Sequence, residues 1–171
     1  VVDRQKIILI VDNQQPELDV LADLLKPDYR IVTATCGEKA LAAVRAVPPP
    51  DLILLGIMKP ENEGLEICRR LMANPAIRDI PVILIASNGQ TGDLESGAVD
   101  CVTKPISPAI LKARIQTHLT LRQQNGELRE ANLKIETLKN KMEKELTVGR
   151  KIQERIVPSD FPAFPDHDEF D

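Results

Sequence analysis

Continuous aliphatic runs alternate with helical periodicity over the first two thirds of the chain. Such runs are typical of strands buried on both faces, and they cover residues 6–11, 30–34, 52–55, 81–85 and 98–102. After the first run, Leu18, Leu21, Ala22 and Leu25 have the spacing of one helix face. Strand and helix patterns in alternation predict a parallel sheet with helices on both faces.

The remaining helices of this region are marked by glycine, proline and apolar spacing. Gly37 precedes a helix whose apolar positions are expected to extend to Val47, where three prolines stop it. Gly64 leads into a third helix, a short fourth helix is expected between residues 86 and 97, and Ser107-Pro108 begins a fifth. Five strands and five helices therefore make one α/β domain, expected to span residues 1–120.

A different pattern begins near residue 121, because no proline separates Pro108 from Pro158. Four apolar residues recur every seven positions, and two of them are followed three places later by a second apolar residue. The expected seam is Leu121, Leu128, Ala131, Ile135, Leu138 and Met142. This repeat predicts a parallel two-stranded coiled coil, and hence a homodimer, over residues 121–157. The alternative is a helix that folds back on its own domain. The repeat falters near Glu145, Leu146 and Gly149.

Composition narrows the classes of partner. The chain has 171 residues, and hydrophobic residues make up 43% of them but aromatic residues only 2%, so the core is aliphatic. With a formal net charge of −4, the chain lacks the excess of basic residues that is typical of a nucleic-acid-binding protein. No apolar run is long enough to suggest a membrane span, and three widely spaced cysteines suit reduced thiols in a cytoplasmic protein.

Polar and small residues follow four of the predicted strands. Asp12-Asn13 follows the first, Gly56 ends the third, Ala86 ends the fourth, and Lys104-Pro105 follows the fifth. In open parallel sheets, ligands bind beyond the carboxyl ends of the strands. An acid, an amide and a lysine are therefore expected to converge on one crevice, beside a turn in which Pro105 is a candidate cis-proline.

Four segments carry a family resemblance: "ILIVDN", "PDLILLGIMKP", "IPVILIAS" and "GAVDCVTKPISPAILKARIQTHL". Together they closely resemble the receiver domain of bacterial two-component response regulators. The resemblance implies a flavodoxin-like, doubly wound sheet with strand order 2-1-3-4-5. It also implies a family chemistry, in which an aspartate after the third strand accepts a phosphoryl group from a histidine kinase. Mg²⁺ bound by neighbouring acids and a lysine assists the transfer.

The chain departs from this pattern at the positions that carry the chemistry. Gly56 stands at the phosphoacceptor position and Asn13 at the second metal-binding acid, so that Asp12 alone remains of the acids. Ala86 replaces the hydroxyl residue that contacts the phosphoryl group, and Cys101 replaces the aromatic switch residue. Lys104 is retained. Because Mg²⁺ needs several oxygen ligands, it is expected to bind weakly at Asp12 or not at all.

These losses predict a pseudo-receiver, a regulatory module that is not phosphorylated. One alternative is an active receiver that uses another acid, Glu61 or Glu63. A second is a small-molecule sensor that uses the emptied crevice.

The tail from residue 158 is expected to begin a further domain. "GRKIQERIVPSDFPAFPDHDEFD" is similar to the segment that enters PPM-type serine phosphatases. The metal-binding aspartates of such a phosphatase are not in this chain, so no phosphatase activity is expected of it. The implied role is regulation of that output through a dimeric coiled coil, by a signalling partner that the sequence does not identify. The alternative output is a diguanylate cyclase.

Overall fold

Five parallel strands form one sheet in this computed structural model, which describes residues 4–57, 62–75, 77–87 and 96–156. The strands are β1 (Ile7–Val11), β2 (Arg30–Ala34), β3 (Leu52–Gly56), β4 (Val82–Ala86) and β5 (Asp100–Thr103). Their order is β2-β1-β3-β4-β5. The flavodoxin-like strand order that the sequence resemblance implied is therefore confirmed.

The described helices are α1 (Gln15–Leu25), α2 (Gly37–Val44), α3 (Asn62–Met72) and α4 (Pro108–Ile156). The helix α4 corresponds to the fifth helix of the sequence prediction. The predicted short helix between β4 and β5 falls mostly within residues 88–95, which lie outside the described residues.

Each face of the sheet is buried by a separate set of side chains. Ile8 and Ile10 of β1 pack with Leu18 of α1 and Leu111 of α4. The alternate residues Leu9 and Val11 pack on the other face, together with α2 and α3. Successive strand residues point to opposite faces, and here both faces are covered. This explains why β1, β3 and β4 read as unbroken aliphatic runs rather than as alternating patterns.

The end of α2 corrects one sequence prediction. The helix stops at Val44 and does not reach Val47, whose side chain is 96% exposed. The residue before a proline is disfavoured in the helical region because its backbone meets the proline ring. Pro48 therefore disfavours a helical conformation at Val47. Val47, the last apolar residue that the sequence assigned to this helix, lies outside it.

The chain divides into two units, Val1–Asn125 and Gly126–Asp171. The first contains the sheet. In the second, every described side chain of the helix is exposed. Among the described helices, none combines the length and the apolarity needed to cross a bilayer. The final residues 157–171, on which the predicted entry to a further domain rests, lie outside the described part.

Candidate functional site

The parallel register brings the predicted site positions to one edge of the sheet. Gly56 is paired with Ile85 on the neighbouring strand, and Ala86 is paired with Thr103. The backbone N–H of Lys104 donates to the Ala86 carbonyl at 2.8 Å. The ends of β3, β4 and β5 therefore lie side by side, as the crevice prediction requires.

Asp12 is the buried acid of this edge. It is only 6% exposed, and its backbone N–H donates to the Ala34 carbonyl at 3.1 Å. Its Oδ1 accepts a hydrogen bond from the Gln14 backbone N–H at 2.9 Å. This turn fixes the direction of the carboxylate and satisfies one of its oxygens, which a buried charged group requires.

The other carboxylate oxygen of Asp12 lies over Gly56. A Cβ added to Gly56 would overlap Asp12 Oδ2 and lie 2.9 Å from Asp12 Cγ. Real Cβ atoms do not approach other heavy atoms so closely, so the position accepts a side chain only if the Asp12 carboxylate moves. The volume in which an acceptor side chain would begin is already filled.

Lys104 has a different partner from the one that its place in the crevice suggested. Its Nζ lies 3.0 Å from Glu17 Oε1, and both side chains are partly buried. An Asp12–Lys104 ion pair, the structural role that the sequence suggested, is not the pairing found. Glu17 was missed because it lies in the first turn of α1, where an acidic residue is also explained by the helix dipole.

The remaining predicted positions differ in their surroundings. Ala86 is fully buried and offers a methyl group where a phosphoryl contact requires a hydroxyl. Asn13 is exposed, and Cys101 is half-buried against the core on the α2 and α3 side. None of the cysteines forms a disulfide. The Lys104–Pro105 peptide bond is cis, at the turn where the sequence placed a candidate cis-proline.

The described side chains at this edge of the sheet do not provide the oxygen ligands of a magnesium site. Among the described residues, Asp12 is the one buried carboxylate at this edge, and one of its oxygens already accepts from Gln14. Within the described ranges, no group of three acidic, histidine or cysteine side chains could hold a metal ion. Mg²⁺ requires octahedral oxygen ligation, usually with more than one carboxylate or with substrate phosphates.

A second charged cluster joins β5 to α4, and sequence reasoning missed it. Asp100 accepts hydrogen bonds from the Arg114 guanidinium, from the ring of His118 at 3.2 Å, and from the Cys101 backbone N–H at 2.8 Å. Burial acts to raise the pKa of Asp100, but these donors outweigh it and hold the pKa below its ordinary value. Asp100 and His118 are 18 residues apart in sequence, so no local pattern links them.

A third cluster lies at the opposite edge of the sheet, where β3 begins. Arg122 of α4 donates to the backbone carbonyls of Pro50 and Asp51, at 3.2 and 2.7 Å. The Asp51 carboxylate accepts from the Ile7 backbone N–H at 2.9 Å and from Arg4 at 3.3 Å. Burial lowers the pKa of the Arg122 guanidinium, while the nearby Asp51 and Asp79 charges oppose that shift. The cluster attaches this part of α4 to the sheet.

The comparisons with known proteins agree with this fold. The family model described as "Response regulator receiver domain" matches residues 8–116. The response regulator PleD of Caulobacter vibrioides is 42% identical over 115 residues, which are 64% of this chain and 25% of that protein. A probable cyclic di-GMP phosphodiesterase of Vibrio cholerae is 37% identical over 134 residues, 76% of this chain and 30% of that protein.

Solved structures give the same result. The signal receiver domain of a signal transduction histidine kinase from Syntrophus aciditrophicus superposes with a TM-score of 0.59 at 30% identity, over 67% of this chain and 90% of that one. The chain thus spans about a quarter to a third of the two curated relatives described above, but nearly the whole of an isolated receiver structure.

Proposed function

The chain belongs to the response regulator receiver domain family, and we propose that it is a pseudo-receiver, a signal-transduction module whose input is not phosphorylation. One observation carries the proposal: Gly56 supplies no nucleophile at the end of β3, and the Asp12 carboxylate fills the space above it. A phosphoryl group transferred to a receiver needs a carboxylate acceptor, and this edge of the sheet has none in that place.

The other substitutions support the same proposal independently. Transfer of a phosphoryl group depends on cations and hydrogen-bond donors that neutralise its charge. Ala86 contributes no donor, Asn13 reduces the charge available to a metal, and Lys104 is paired with Glu17. Acceptor, metal ligand and phosphoryl contact are altered together, while the sheet and its core are retained.

The output is proposed to pass through a homodimer of α4. The predicted seam residues Leu121, Leu128, Ile135, Leu138 and Met142 are 47–63% exposed in the single chain. Apolar side chains repeated every seven residues on a charged helix are typical of a coiled-coil seam. A second copy of the chain would bury them and would place two output domains side by side.

For the output itself, two candidates follow from different observations. A PPM-type serine phosphatase, regulated by this module, is supported by the sequence of residues 149–171. An output in cyclic di-GMP turnover is supported by the Vibrio cholerae relative, whose match of 134 residues is longer than that to the family model. In both cases this chain is the regulator and has no catalytic activity of its own.

The deciding experiment treats the purified chain with acetyl phosphate and Mg²⁺ and measures intact mass. A phosphorylatable receiver treated in parallel is the positive control. We expect no adduct on this chain. A stoichiometric, acid-labile adduct would overturn the proposal, and peptide mapping to Glu61 or Glu63 would then support the alternative acceptor. The structure of residue 61 and the side chain of residue 63 lie outside the described part.

Two further measurements test the small-molecule alternative and the proposed dimer. Thermal-shift screening with nucleotides and inorganic anions tests the small-molecule alternative, which predicts a rise in melting temperature with a ligand in this crevice. Sedimentation velocity tests the dimer: the whole chain is expected to sediment as a dimer, and a chain ending at residue 125 as a monomer. A truncated chain that remains dimeric would show that α4 beyond the first unit is not the interface.

A further inference from the structure

The seven-residue repeat of α4 changes character after Met142. Continued without interruption, it leads through Glu145, Gly149 and Ile152. A coiled-coil seam favours aliphatic side chains that fill the space between the helices. This continuation instead places the Glu145 carboxylate and Gly149, which has no side chain, in successive layers of the seam. The adjacent Leu146, 72% exposed, is then left out of the seam.

The same sequence allows a second continuation of the seam, in which the repeat contains one additional four-residue step. It runs from Met142 through Leu146, Gly149 and Gln153, and such a step is a known way in which coiled coils unwind locally. This path gains Leu146 in place of Glu145. It also loses Ile152, which is 52% exposed, and takes Gln153 instead. Each path therefore buries one aliphatic and one polar side chain.

The earlier part of the helix does not offer this choice. Between the seam residues Leu128 and Met142, the flanking positions are polar or charged, as at Asn132, Lys134 and Lys139. Rotating the helix there would move these residues into the seam in exchange for aliphatic ones, at a large cost in desolvation. The ambiguity is confined to the segment after Met142.

Resting on the dimer proposed above, we propose that residues 142–156 contact a second copy of this chain through two alternative seams of similar stability. The heptad seam contains Glu145 and Ile152, and the stutter seam contains Leu146 and Gln153. Exchange between them rotates each helix about its own axis by less than the ~100° that separates neighbouring residues. The rotation would carry an input signal to the domain that follows.

Gly149 makes the exchange easier because it belongs to both seams. A Cβ placed there would meet no other atom within 4 Å, so the single helix does not need glycine for packing. Without a side chain at this layer, no knob has to leave one hole and enter another. Glycine also weakens the helix locally, by about 1 kcal/mol relative to alanine.

Cysteine cross-linking of the whole chain tests the proposal, in a background where Cys36 and Cys101 are replaced by serine. I152C reports the heptad seam and L146C reports the stutter seam. T147C, on the outer surface in both arrangements, is the matched control. We expect disulfide-linked dimers from both reporters and little from the control.

Two substitutions should shift the balance in opposite directions. E145L removes the carboxylate from the heptad seam, so the I152C yield should rise at least about threefold relative to that of L146C. Q153L favours the stutter seam and should reverse this ratio. Exchange between the two seams predicts both responses. If either reporter stays at the T147C level in every variant, the helix has a single seam and the inference is overturned.

The proposed function and this inference fail in different ways. Monomeric behaviour of the whole chain in sedimentation velocity overturns the dimer, and the two seams with it. A dimer whose reporter ratio is unchanged by both E145L and Q153L retains the dimer and overturns the two seams alone. Phosphorylation of the first unit bears on neither result.

Discussion

The carboxylate of Asp12 occupies the space above the Cα of Gly56. A Cβ at this glycine would lie 2.9 Å from Asp12 Cγ and 3.3 Å from the Val11 carbonyl oxygen. Among the described glycines, only Gly97 has a positive φ, so the backbone of Gly56 is one that any residue can adopt. The neighbouring carboxylate, and not the backbone conformation, therefore restricts this position.

This relationship predicts the effect of adding one methyl group. G56A should lower the free energy of unfolding by about 1–3 kcal/mol, as expected for overpacking in a well-packed site. Urea denaturation measures the change. In a D12A background, the added methyl group has room, and its cost should fall below about half of that value. An equal cost in both backgrounds would identify the Val11 carbonyl, rather than Asp12, as the obstacle.

Restoring the acceptor alone should not restore the chemistry. G56D supplies a carboxylate, but Asn13 and Ala86 still lack the metal ligand and the hydroxyl donor. We expect G56D to show little adduct with acetyl phosphate and Mg²⁺ by intact mass. The triple variant G56D/N13D/A86T should react more than about tenfold faster, because each restored contact acts on the transferring phosphoryl group.

The control for this series is G56N/N13D/A86T, which has the same metal ligand and hydroxyl but no nucleophile. It should give no adduct. Rapid labelling of G56D alone would show that the crevice had kept its metal and phosphoryl contacts through other residues. The pseudo-receiver would then rest on Gly56 alone.

Much of the fold was predictable because the strands carry the strongest local signal. A strand buried on both faces needs aliphatic residues at every position, and β1, β3 and β4 satisfy this without interruption. Boundaries were harder. The predicted strand at residues 98–102 is shifted to Asp100–Thr103, because the sheet register, which depends on the neighbouring strand, decides where pairing begins.

The site was predictable in its positions but not in its pairings. The sequence placed Asp12 and Lys104 at one edge of the sheet, since parallel strands end together. Which side chain meets Lys104 depends on the rotation of α1 against the sheet, and this brings Glu17 to 3.0 Å. The Asp100–His118 contact likewise joins residues that no local pattern relates.

The Asp100 cluster predicts a dependence of stability on pH. Burial acts to raise the pKa of this carboxyl, but donors from Arg114, His118 and the backbone outweigh burial and hold the pKa below its ordinary value. Its stabilising effect is therefore complete above the unfolded-state pKa of about 3.9 and is lost as the pH falls through the lower folded-state pKa. At neutral pH, D100N should cost about 1–3 kcal/mol, as for hydrogen bonds to a charged group.

The measurement is urea denaturation of the wild type and D100N from about pH 7 to about pH 2.5, a window that runs from well above to below the unfolded-state pKa. The difference in unfolding free energy should shrink toward the acid end. D23N is the matched control, because Asp23 forms an exposed pair with Lys26, and its effect should stay within about 0.5 kcal/mol. A D100N difference that does not change with pH would contradict the assignment.

Arg122 joins α4 to the start of β3. Its guanidinium donates to two backbone carbonyls, those of Pro50 and Asp51. Lysine keeps the charge but has no planar fork to reach both acceptors. R122K should therefore lower the free energy of unfolding of the first unit by about 1–2 kcal/mol. R122M should lower it by more, because it also removes the charge that lies 3.6 Å from the partly buried Asp51 carboxylate.

K134M is the control for a charged residue of the same helix, since Lys134 forms only an exposed pair with Glu130. Its effect should stay within about 0.5 kcal/mol. Hydrogen exchange distinguishes a local from a global effect: R122K should increase exchange at Ile7, whose N–H is bound by the same Asp51 carboxylate, more than at the centre of β3. Uniformly increased exchange across the sheet would show that Arg122 contributes to general stability and does not hold this junction specifically.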